Sequence, residues 1–458
     1  MRADVFLRAK TMQTKSAKDL ETQGIASLML RYCLPTILAT TVNAAYNAVD
    51  RIFVGRACGE DALAAITVCF SPTLLLLSIA MTIGQGSAAI LSIKLGEKNY
   101  EDASKILSQA LFLFVVFYIA AASAISLYMD EILTFFGATQ KLLPDARAYY
   151  SVIIAGLIFE KISFGINNLI RAEGRPAYAM STMLIGGWAN VVLDYIFLFV
   201  FETGVVGAAY ATVLSQMLGS LWVGCFYLSG RSCLKIRLRD MKVHSGLFRD
   251  VCEAGSPSLI MQFFAGLCVS LYIKQACEYG SEPAIAVVGI AMSITTFMFL
   301  PIVGLAMGMQ PIVGYNWGAK NFARVKRTFL CGIVFSTCIG LAGFAAGECF
   351  PRLFYAVFLG RESELAAMGS RVLRILILCY PLIGVNIITS GFFQSTKRPV
   401  YSITVSVLRQ AVFLIPLMYV LPEMFGVDGL WASFPISDFM AFVITLVFIK
   451  YKILKKIS

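Results

Sequence analysis

The chain has 458 residues, of which 58% are hydrophobic and 14% are charged, and its formal net charge is +11. Soluble domains contain roughly 45–50% apolar and about 25% charged residues, so this composition excludes an ordinary soluble protein. The apolar runs are long enough to cross about 30 Å of hydrocarbon as helices. Lipid is therefore the expected solvent for most of the chain.

The apolar runs predict an all-α integral membrane protein with twelve transmembrane helices in two six-helix lobes. Barrel strands are excluded because the runs lack two-residue alternation. The tail before the first span carries five basic residues and no uninterrupted apolar core, so it does not resemble a cleaved signal peptide. The predicted spans cover 28–54, 63–91, 106–128, 148–170, 177–201, 205–228, 252–277, 284–313, 328–347, 367–392, 400–421 and 429–449.

The distribution of Lys and Arg between the spans predicts the orientation. The tails and loops on one side hold 26 of these residues, whereas the alternate loops hold 5. Because basic loops stay on the cytoplasmic side, both termini are predicted to be cytoplasmic, in a multi-pass protein of the plasma or inner membrane. The basic run from Lys235 to Lys242 closes a membrane half on that face, so it does not indicate nucleic-acid binding.

The two halves of the chain are duplicates. A shift of 223 residues aligns Arg175-Pro176 with Arg398-Pro399. Six spans per copy is an even number, so the copies share one orientation and form a parallel repeat. A shift of 222 residues aligns Pro35 with Pro257, Gly86 with Gly308, Gly96 with Gly318, Lys98 with Lys320, Asn99 with Asn321, Gly204 with Gly426 and Gly207 with Gly429.

The repeat predicts the domain organisation, and parallel halves of this kind usually enclose a cavity near the membrane midplane. The predicted domains are a cytoplasmic tail over 1–27, an N-lobe over 28–228, a basic cytoplasmic linker over 229–251, a C-lobe over 252–449 and a cytoplasmic tail over 450–458.

The sequence lacks the motifs that are typical of enzymes and metal sites. Twelve cysteines are scattered without a CxxC pair, and the single histidine, His244, lies in the central loop. No disulfide framework, metal site, catalytic triad or phosphate-binding loop is indicated. We therefore predict no enzyme and no cofactor. Energy coupling must come from ions that move through residues inside the membrane.

Polar side chains inside the spans of the first half mark a candidate site. They are Asn43, Tyr46, Asn47 and Asp50 in the first span, Asn190 and Asp194 in the fifth and Thr212 in the sixth. The first four share one helical face, and the two acids and the threonine lie at similar depth. An intramembrane carboxylate costs about 2.5–3.5 kcal/mol on insertion scales and usually marks an ion or proton pathway. The alternative is structural: neighbouring groups, or Arg51 beside Asp50, satisfy each acid.

Charged residues in other spans are weaker candidates. Arg409 and Asp438 lie in the eleventh and twelfth spans and are suited to pair with each other. Glu160 and Lys161 are adjacent in the fourth span, which predicts that they point to different faces. The second copy has Tyr272 where the first has Asp50, so only the first copy carries the acidic pair.

The residues also resemble a known family. The pattern from Asn43 to Asp50 followed by Phe53-Val54-Gly55, the paired Gly-x-Lys-Asn loops and Asn190-x3-Asp194 resemble the multidrug and toxic compound extrusion transporters. The resemblance covers roughly 28–450 and implies two six-helix lobes forming a V, with cation-coupled antiport of amphipathic, often cationic drugs. The chain is most similar to the bacterial branch whose cation site is in the N-terminal lobe.

The resemblance assigns roles to individual residues. Cation or proton coupling falls to Asp50, Asp194, Asn190 and Thr212, and substrate contact falls to Tyr46, Asn190 and Asn167. Asn43 and Asn47 join the substrate-binding set because they share the face of Tyr46. Asn167 is predicted nearer the cytoplasmic end of its span than the acids. Pro35 lacks an amide donor, so it either lets its helix bend as the charge changes or forms a static kink.

The predicted function is secondary active export by a monomer. Protons, or Na⁺ bound by hard oxygen ligands, exchange against amphipathic organic compounds by alternating access. The expected partners are small organic molecules and the lipid bilayer, without nucleic acid. Two alternatives remain open: a flippase for a lipid-linked saccharide precursor, which needs a wide basic cavity, and a channel or non-transporting scaffold, which lacks coupling.

Overall fold

The computed structural model describes residues 19–280, 282–359 and 365–454, and nearly all of them are helical. In chain order the helices are α1 (Ile25–Gly59), α2 (Asp61–Gly96), α3 (Tyr100–Leu127), α4 (Met129–Phe135), α5 (Leu143–Ala172), α6 (Pro176–Val200), α7 (Gly204–Leu228), α8 (Ser245–Tyr279), α9 (Glu282–Gly318), α10 (Phe322–Cys349), α11 (Pro351–Leu359), α12 (Leu365–Ile377), α13 (Tyr380–Ser395), α14 (399–425) and α15 (427–453).

The helices are those of a protein that crosses a membrane many times. In the described part of the chain, ten helices are long and apolar enough to span a membrane, or eleven when bent pairs are counted. One of the ten is the 55-residue run Pro399–Ile453. A straight helix of that length would measure about 80 Å, well beyond one crossing. Gly426, with φ 60 and ψ −143, breaks the run into α14 and α15, so it supplies two crossings and the number becomes the predicted twelve.

The described residues form two compact units. Unit 1 comprises residues 19–23 together with Leu38–Ser258, and unit 2 comprises Gly24–Ile37 together with the described residues from Leu259 onward. Helix α1 therefore begins in unit 2 and continues in unit 1, and α8 begins in unit 1 and continues in unit 2. The changes of unit inside these two helices each fall within two residues of a repeat-related proline, Pro35 in α1 and Pro257 in α8.

Glycines allow close packing of these helix ends within each unit. In unit 1, a Cβ atom added to Gly86 would lie 2.2 Å from the carbonyl oxygen of Val251. In unit 2, a Cβ atom added to Gly308 would lie 2.7 Å from the Cα atom of Cys33. Both distances exclude a side chain, because α2 meets the backbone of α8 and α9 meets that of α1. The repeat-related glycines Gly86 and Gly308 thus allow the same close approach of two helix backbones, once in each unit.

The two Gly-x-Lys-Asn loops have the same backbone conformation. Lys98 and Lys320 both adopt left-handed backbone, with φ of 59° and 58°. The side chains of Asn99 and Asn321 then accept a hydrogen bond from the backbone N–H three residues later, at 3.1 Å and 3.3 Å. These bonds cap α3 and α10, because the first N–H groups of a helix lack partners within it. The repeated Gly-x-Lys-Asn motif therefore forms the same N-terminal cap at the start of α3 and of α10.

The segment between α7 and α8 is fixed to α3 within unit 1. The backbone N–H groups of Lys235 and Arg237 donate to the hydroxyls of Ser104 and Ser108, at 3.3 Å and 3.1 Å. The N–H of His244 likewise donates to Gln109, at 2.9 Å. The predicted basic linker is thus held in place by three polar side chains within two turns of α3.

Several features of the helices differ from the prediction. The predicted span 367–392 is broken into α12 and α13, which meet at 43° just before Pro381. Short helices, α4 and α11, follow the third and ninth spans. Stretches of π-helix interrupt the long helices at Ile162–Ile166, Ile196–Val200 and Leu408–Leu414.

Candidate functional site

The polar face of α1 is internally hydrogen-bonded in unit 1. The side-chain amide of Asn43 donates to the Tyr46 hydroxyl at 3.1 Å, and that of Asn47 donates to the Asn43 carbonyl oxygen at 2.6 Å. Asp50 lies one turn beyond Tyr46 on the same face, half-buried. The spacing of four residues thus places a carboxyl group directly after a hydrogen-bonded Asn and Tyr pair.

Helix α6 meets this face through a glycine. A Cβ atom on Gly187 would lie 3.0 Å from the Tyr46 ring, so glycine lets the ring rest against α6. Asn190 and Asp194 follow Gly187 at i+3 and i+7, so they occupy the same face of α6. Since Asp50 follows Tyr46 along α1, the two helices bring both acids to one level.

The two carboxyl groups lie side by side. Asp50 and Asp194 are close enough to interact directly. Asp194 is fully buried, and apart from the neighbouring Asp50 neither of its oxygens has a hydrogen-bond partner among the described residues. One oxygen of Asp50 and the side-chain oxygen of the buried Asn190 are also unpartnered within that part of the chain. Buried polar atoms are normally satisfied, so four unpartnered oxygens together indicate a site that takes a proton or a cation.

Arg51 does not neutralise the acidic pair by direct contact. Its guanidinium lies over the ring of Phe70, 5.0 Å from the ring centroid, and no ion pair among the described residues joins it to Asp50. Such a cation and ring contact offers Arg51 an alternative partner. The structural alternative, in which Arg51 fully satisfies Asp50, therefore has no geometric support.

The other predicted site residues are distributed more widely. Thr212 is half-buried on α7, which packs along α5 and α6, and its carbonyl oxygen accepts a bond from Ser215. Asn167 is buried, and its amide donates to the carbonyl oxygen of Ala179 at 3.0 Å. Ala179 precedes Asp194 by fifteen positions, about 22 Å along a helix. The structure therefore does not bring Asn167 to the acidic pair.

Sequence reasoning missed an ion pair beside this site. Lys161 is fully buried, and its Nζ lies 2.8 Å from Glu160 Oε2. Adjacent positions leave a helix about 100° apart, but these two side chains meet at their charged ends, because a buried charge requires a counter-charge. Glu160 and Asp50 both lie within electrostatic range of Tyr46. A buried Lys next to a Glu within one span was the signal.

In unit 2, the predicted pairing of Arg409 and Asp438 is confirmed, with Arg409 Nε 2.9 Å from Asp438 Oδ1. Tyr272, at the position that matches Asp50, is buried and packs its ring against Phe434, with centroids 5.2 Å apart. Unit 2 therefore has an aromatic contact where unit 1 has carboxylic acids.

The duplicated helices and the unpartnered intramembrane acids define a polytopic membrane transport protein. The MatE family matches residues 35–196 and 257–420, one match in each half. The chain belongs to the MatE family, whose members are transporters and not enzymes.

Named relatives and solved structures extend this result over nearly the whole chain. The multidrug export protein MepA of Staphylococcus aureus (strain MSSA476) is 23% identical over 435 residues, 93% of this chain and 94% of MepA. A solved outward-facing conformation of a multidrug resistance MATE family transporter of the MOP superfamily is 25% identical, covering 94% of this chain and 98% of that chain, with a TM-score of 0.88. A solved chain called protein A is 32% identical, with a TM-score of 0.86 and coverage of 94% and 96%.

Proposed function

We propose that this MatE protein is a secondary active exporter of amphipathic organic cations, in which Asp50 and Asp194 couple export to proton entry. The observation that carries the proposal is the fully buried, unpartnered carboxyl group of Asp194 beside Asp50. Two adjacent carboxyl groups away from water do not both ionise readily, so they bind and release a proton as a unit. The similar MepA proteins are multidrug export proteins, which agrees with this function.

Competition for one charged site is the proposed coupling step. When the pair has lost its proton, its negative charge attracts a cationic substrate. When a proton enters from outside, that attraction is lost and the substrate leaves. The proton and the drug therefore exchange without any need for a second energy source, because each displaces the other from the same carboxyl groups.

Tyr46, Asn43 and Asn47 are proposed to contact the substrate. The Tyr46 ring is an aromatic surface one turn before Asp50 on α1, and it rests against Gly187 of α6. A ring beside a carboxylate suits an aromatic cation, since stacking and charge attraction act together. The two asparagines supply hydrogen-bonding groups on the same face.

Proline at the change of unit is proposed to assist the movement. Pro35 lies two residues before α1 leaves unit 2, and it removes one backbone hydrogen bond from the helix. Bending at this position would let the part of α1 that carries Asp50 respond to protonation. Pro257 occupies the same place in α8 without an acid following it.

Na⁺ is the other coupling ion that the donor set permits. The oxygens of Asp50, Asp194, Asn190 and Thr212 are of the kind that hard cations prefer. A cation would satisfy the unpartnered oxygens of Asp194 and Asn190. The transport experiment below distinguishes protons from Na⁺ as the coupling ion.

The orientation is proposed from charge alone: both termini are cytoplasmic in a plasma or inner membrane, and proton entry is from the opposite side. The lysines and arginines between spans supply the asymmetry, 26 against 5. The same argument makes the segment between α7 and α8 cytoplasmic.

The test is transport by purified protein in liposomes. A fluorescent organic cation should be exchanged when a pH gradient alone is imposed, and adding the cation to the detergent-solubilised protein should release protons. Release of Na⁺ instead of protons would assign the coupling ion to Na⁺. Movement of a lipid-linked saccharide without cation exchange would replace the proposal with the flippase function, and no movement of either would support the scaffold.

A further inference from the structure

The Glu160 and Lys161 pair lies deep inside unit 1, on α5. Lys161 Nζ lies 2.8 Å from Glu160 Oε2, and Glu160 is its only ion-pair partner among the described residues. The Lys161 side chain is 0% exposed, whereas 21% of the Glu160 side chain is exposed. Helix α5 ends at Ala172, about 18 Å farther along the helix than Glu160. Two opposite charges thus meet far from either end of a span, and the carboxylate is the accessible end of the pair.

Stability of the fold does not explain this pair. Taking two charges out of water is costly, and well-packed apolar residues in their place are often equally stable or more stable. Unit 2 has apolar residues there: shifts of 222 and 223 residues match the pair to Leu382, Ile383 and Gly384. Directly after the pair, α5 is π-helical over Ile162–Ile166, and such bulges occur frequently at functional sites. Charges retained inside a span usually serve a substrate or an ion.

The two side chains leave α5 toward different neighbours before they meet. Glu160 lies one turn after Gly156, and a Cβ atom on Gly156 would lie 2.4 Å from Val213 of α7. Lys161 lies one turn after Leu157, which belongs to a buried apolar cluster with residues of α2 and α3. The carboxylate is therefore on the α7 side of α5, and the ammonium is on the side of α2 and α3. The pair is an oriented dipole with its negative end toward α7.

Contacts between neighbouring helices show the level of the carboxylate within unit 1. They join Gly156 to Val213 and Ser163 to Gly219 between α5 and α7, Gly186 to Ser215 between α6 and α7, and Gly187 to Tyr46 between α6 and α1. Glu160 lies between the two contacts on α5, and Ser215 lies between the same two contacts on α7. Glu160 and Tyr46 are therefore at about the same level, which agrees with the electrostatic interaction between them.

The Tyr46 ring is thus influenced by negative groups on two sides. Asp50 lies one turn farther along α1, and Glu160 lies at the level of the ring on another helix. Charges inside a protein are poorly screened, so the negative end of the dipole attracts a positive charge at Tyr46 without touching it. Unit 2 lacks this dipole, because its matching residues carry no charge.

We propose that the Glu160 and Lys161 pair determines specificity in unit 1, by favouring a positively charged aromatic substrate at Tyr46 over an uncharged one. The Glu160 carboxylate supplies the attraction, and Lys161 is a positioning residue that holds the carboxylate in place. The inference deepens the proposed function and rests on it for the location of the substrate, since Tyr46 is the proposed contact.

The test compares equilibrium binding of N-methylacridinium and acridine to the purified full-length protein, followed by fluorescence. The two dyes share one ring system, and at mildly alkaline pH only N-methylacridinium is charged. The variant that combines Glu160→Lys with Lys161→Glu keeps an ion pair but reverses the dipole. It should weaken N-methylacridinium binding about tenfold and leave acridine binding unchanged. If the swapped pair binds both dyes as the wild type does, the pair has only a structural role and the proposal is wrong.

A neutral variant keeps the test decisive if the swapped protein does not fold. Glu160→Gln with Lys161→Met leaves no unpaired buried charge, so it should insert normally. Its N-methylacridinium binding should weaken about threefold, less than in the swapped variant, because the attraction is removed and not reversed. Equal weakening of both dyes, or no change in either, would contradict the specificity role.

Transport separates this inference from the proposed function. Exchange of N-methylacridinium is measured in liposomes with an imposed pH gradient, independently of binding. If reversal of the dipole removes the preference for the charged dye but no pH gradient drives exchange by the wild type, the specificity role stands and the proposed function fails. If the wild type exchanges the dye and the swapped variant keeps its preference for the charged dye, the proposed function stands and this inference fails.

Discussion

The two units share their loops and differ in their interiors. At the loops, Lys98 and Lys320 adopt the same left-handed backbone, and so do Gly204 and Gly426. At another turn the left-handed position is Gly174 in the first copy but Lys397 in the second, with φ of 86° and 55°. The conformation is kept even where the residue changes, because the turn between two spans requires it.

Inside the spans the repeat-related residues have diverged in chemistry. Asp50 corresponds to Tyr272 and Thr212 to Phe434, and the latter two pack ring against ring. Asp194 and Asn190 correspond to Leu417 and Phe413 at the 223-residue shift. Duplication thus supplied two equal frameworks, of which unit 1 holds the acids and unit 2 holds aromatic packing and the Arg409 ion pair. The comparison predicts that matched substitutions in the two units have unequal effects.

Replacing Asp194 should have the largest effect. Asp194→Asn removes the fully buried carboxyl group but keeps its shape, so uphill export should fall to the level of empty liposomes while insertion and yield stay near normal. The control is Tyr272→Phe, at the position in unit 2 that matches the other acid, Asp50, and it should export at nearly the wild-type rate. Both are measured as dye efflux driven by a pH gradient. Unchanged export by Asp194→Asn would remove this residue from the mechanism.

Cysteine labelling should separate the two faces of the membrane almost completely. Cys58 should react with an impermeant thiol reagent in intact cells, whereas Cys233 should react only after permeabilisation, as followed peptide by peptide with mass spectrometry. Cys233 should react slowly even then, since burial and the neighbouring Glu173 raise the pKa of its thiol well above the usual range.

The labelling control is Leu238→Cys in the same linker, because Leu238 is highly exposed. It should react rapidly after permeabilisation and not before. Labelling of this cysteine in intact cells would reverse the proposed orientation, and both units would then face the opposite way.

Replacing Asp50 should weaken binding without removing it. Asp50→Asn mimics the protonated state, so affinity for a cationic dye should fall about tenfold, which corresponds to about 1.4 kcal/mol. Wild-type binding should tighten as pH rises, because loss of the proton restores negative charge, and the variant should lose much of this dependence. Fluorescence titrations at several pH values provide the measurement. Wild-type affinity with an unchanged pH profile would contradict the competition mechanism.

The features of the fold that depend on hydrophobicity and repetition were predictable from sequence. Span locations follow from runs of apolar residues, and the capped starts of α3 and α10 follow from the repeated asparagines. The break between α12 and α13 was not predicted, although Pro381 has no N–H to donate to the carbonyl oxygen of Ile377, where α12 ends. Hydropathy averages over such a break, because the apolar character continues on both sides.

The candidate site was predictable as far as helical periodicity reaches. Spacing placed Tyr46 with Asp50 and Asn190 with Asp194, but it cannot tell which faces of α1 and α6 meet, and Gly187 decides that. The ion pair of Glu160 and Lys161 was missed because helical periodicity gives the direction of each side chain but ignores its length. A lysine side chain is long enough to reach a neighbouring position. The sequence placed Asn167 nearer the cytoplasmic end of its span than the acids, and its bond to Ala179, fifteen positions before Asp194, agrees with that position.

The repeat-related prolines should show a modest difference. Pro35→Ala restores a backbone donor in α1 and should slow export by less than about tenfold, equivalent to under about 1.4 kcal/mol of barrier. Pro257→Ala, at the matching place in α8, is the control and should slow export less, because no acid follows it. Initial rates of dye efflux measure both. A larger loss from Pro257→Ala would transfer the bending role to α8.

The smallest expected effect concerns Glu173, which follows α5 and corresponds to Thr396 in unit 2. The Ser232 hydroxyl donates to its carboxyl at 2.6 Å and the Cys233 N–H at 3.3 Å, fixing the linker to the end of α5. Burial nevertheless raises the pKa of Glu173 from its ordinary value of 4.5 to about 7. Thr396 has a hydroxyl that donates to the Phe392 carbonyl oxygen, so unit 2 has no titrating group there.

A raised carboxyl pKa means that the folded state favours the protonated form of Glu173. Its ionisation therefore costs stability, and this cost is absent below about pH 4.5, grows as pH rises and is complete above about pH 7. Glu173→Gln cannot ionise and still accepts a bond from Ser232. The difference in melting temperature between Glu173→Gln and the wild type should therefore be larger at pH 8 than at pH 5, by about one to a few degrees in favour of the variant. Thr396→Ser, the control in unit 2, should differ from wild type by the same amount at both pH values. If the melting temperature of Glu173→Gln also differs from wild type by the same amount at both pH values, burial at this position does not disfavour the charged carboxylate. The positions of Glu173 and Thr396 would then respond alike to pH.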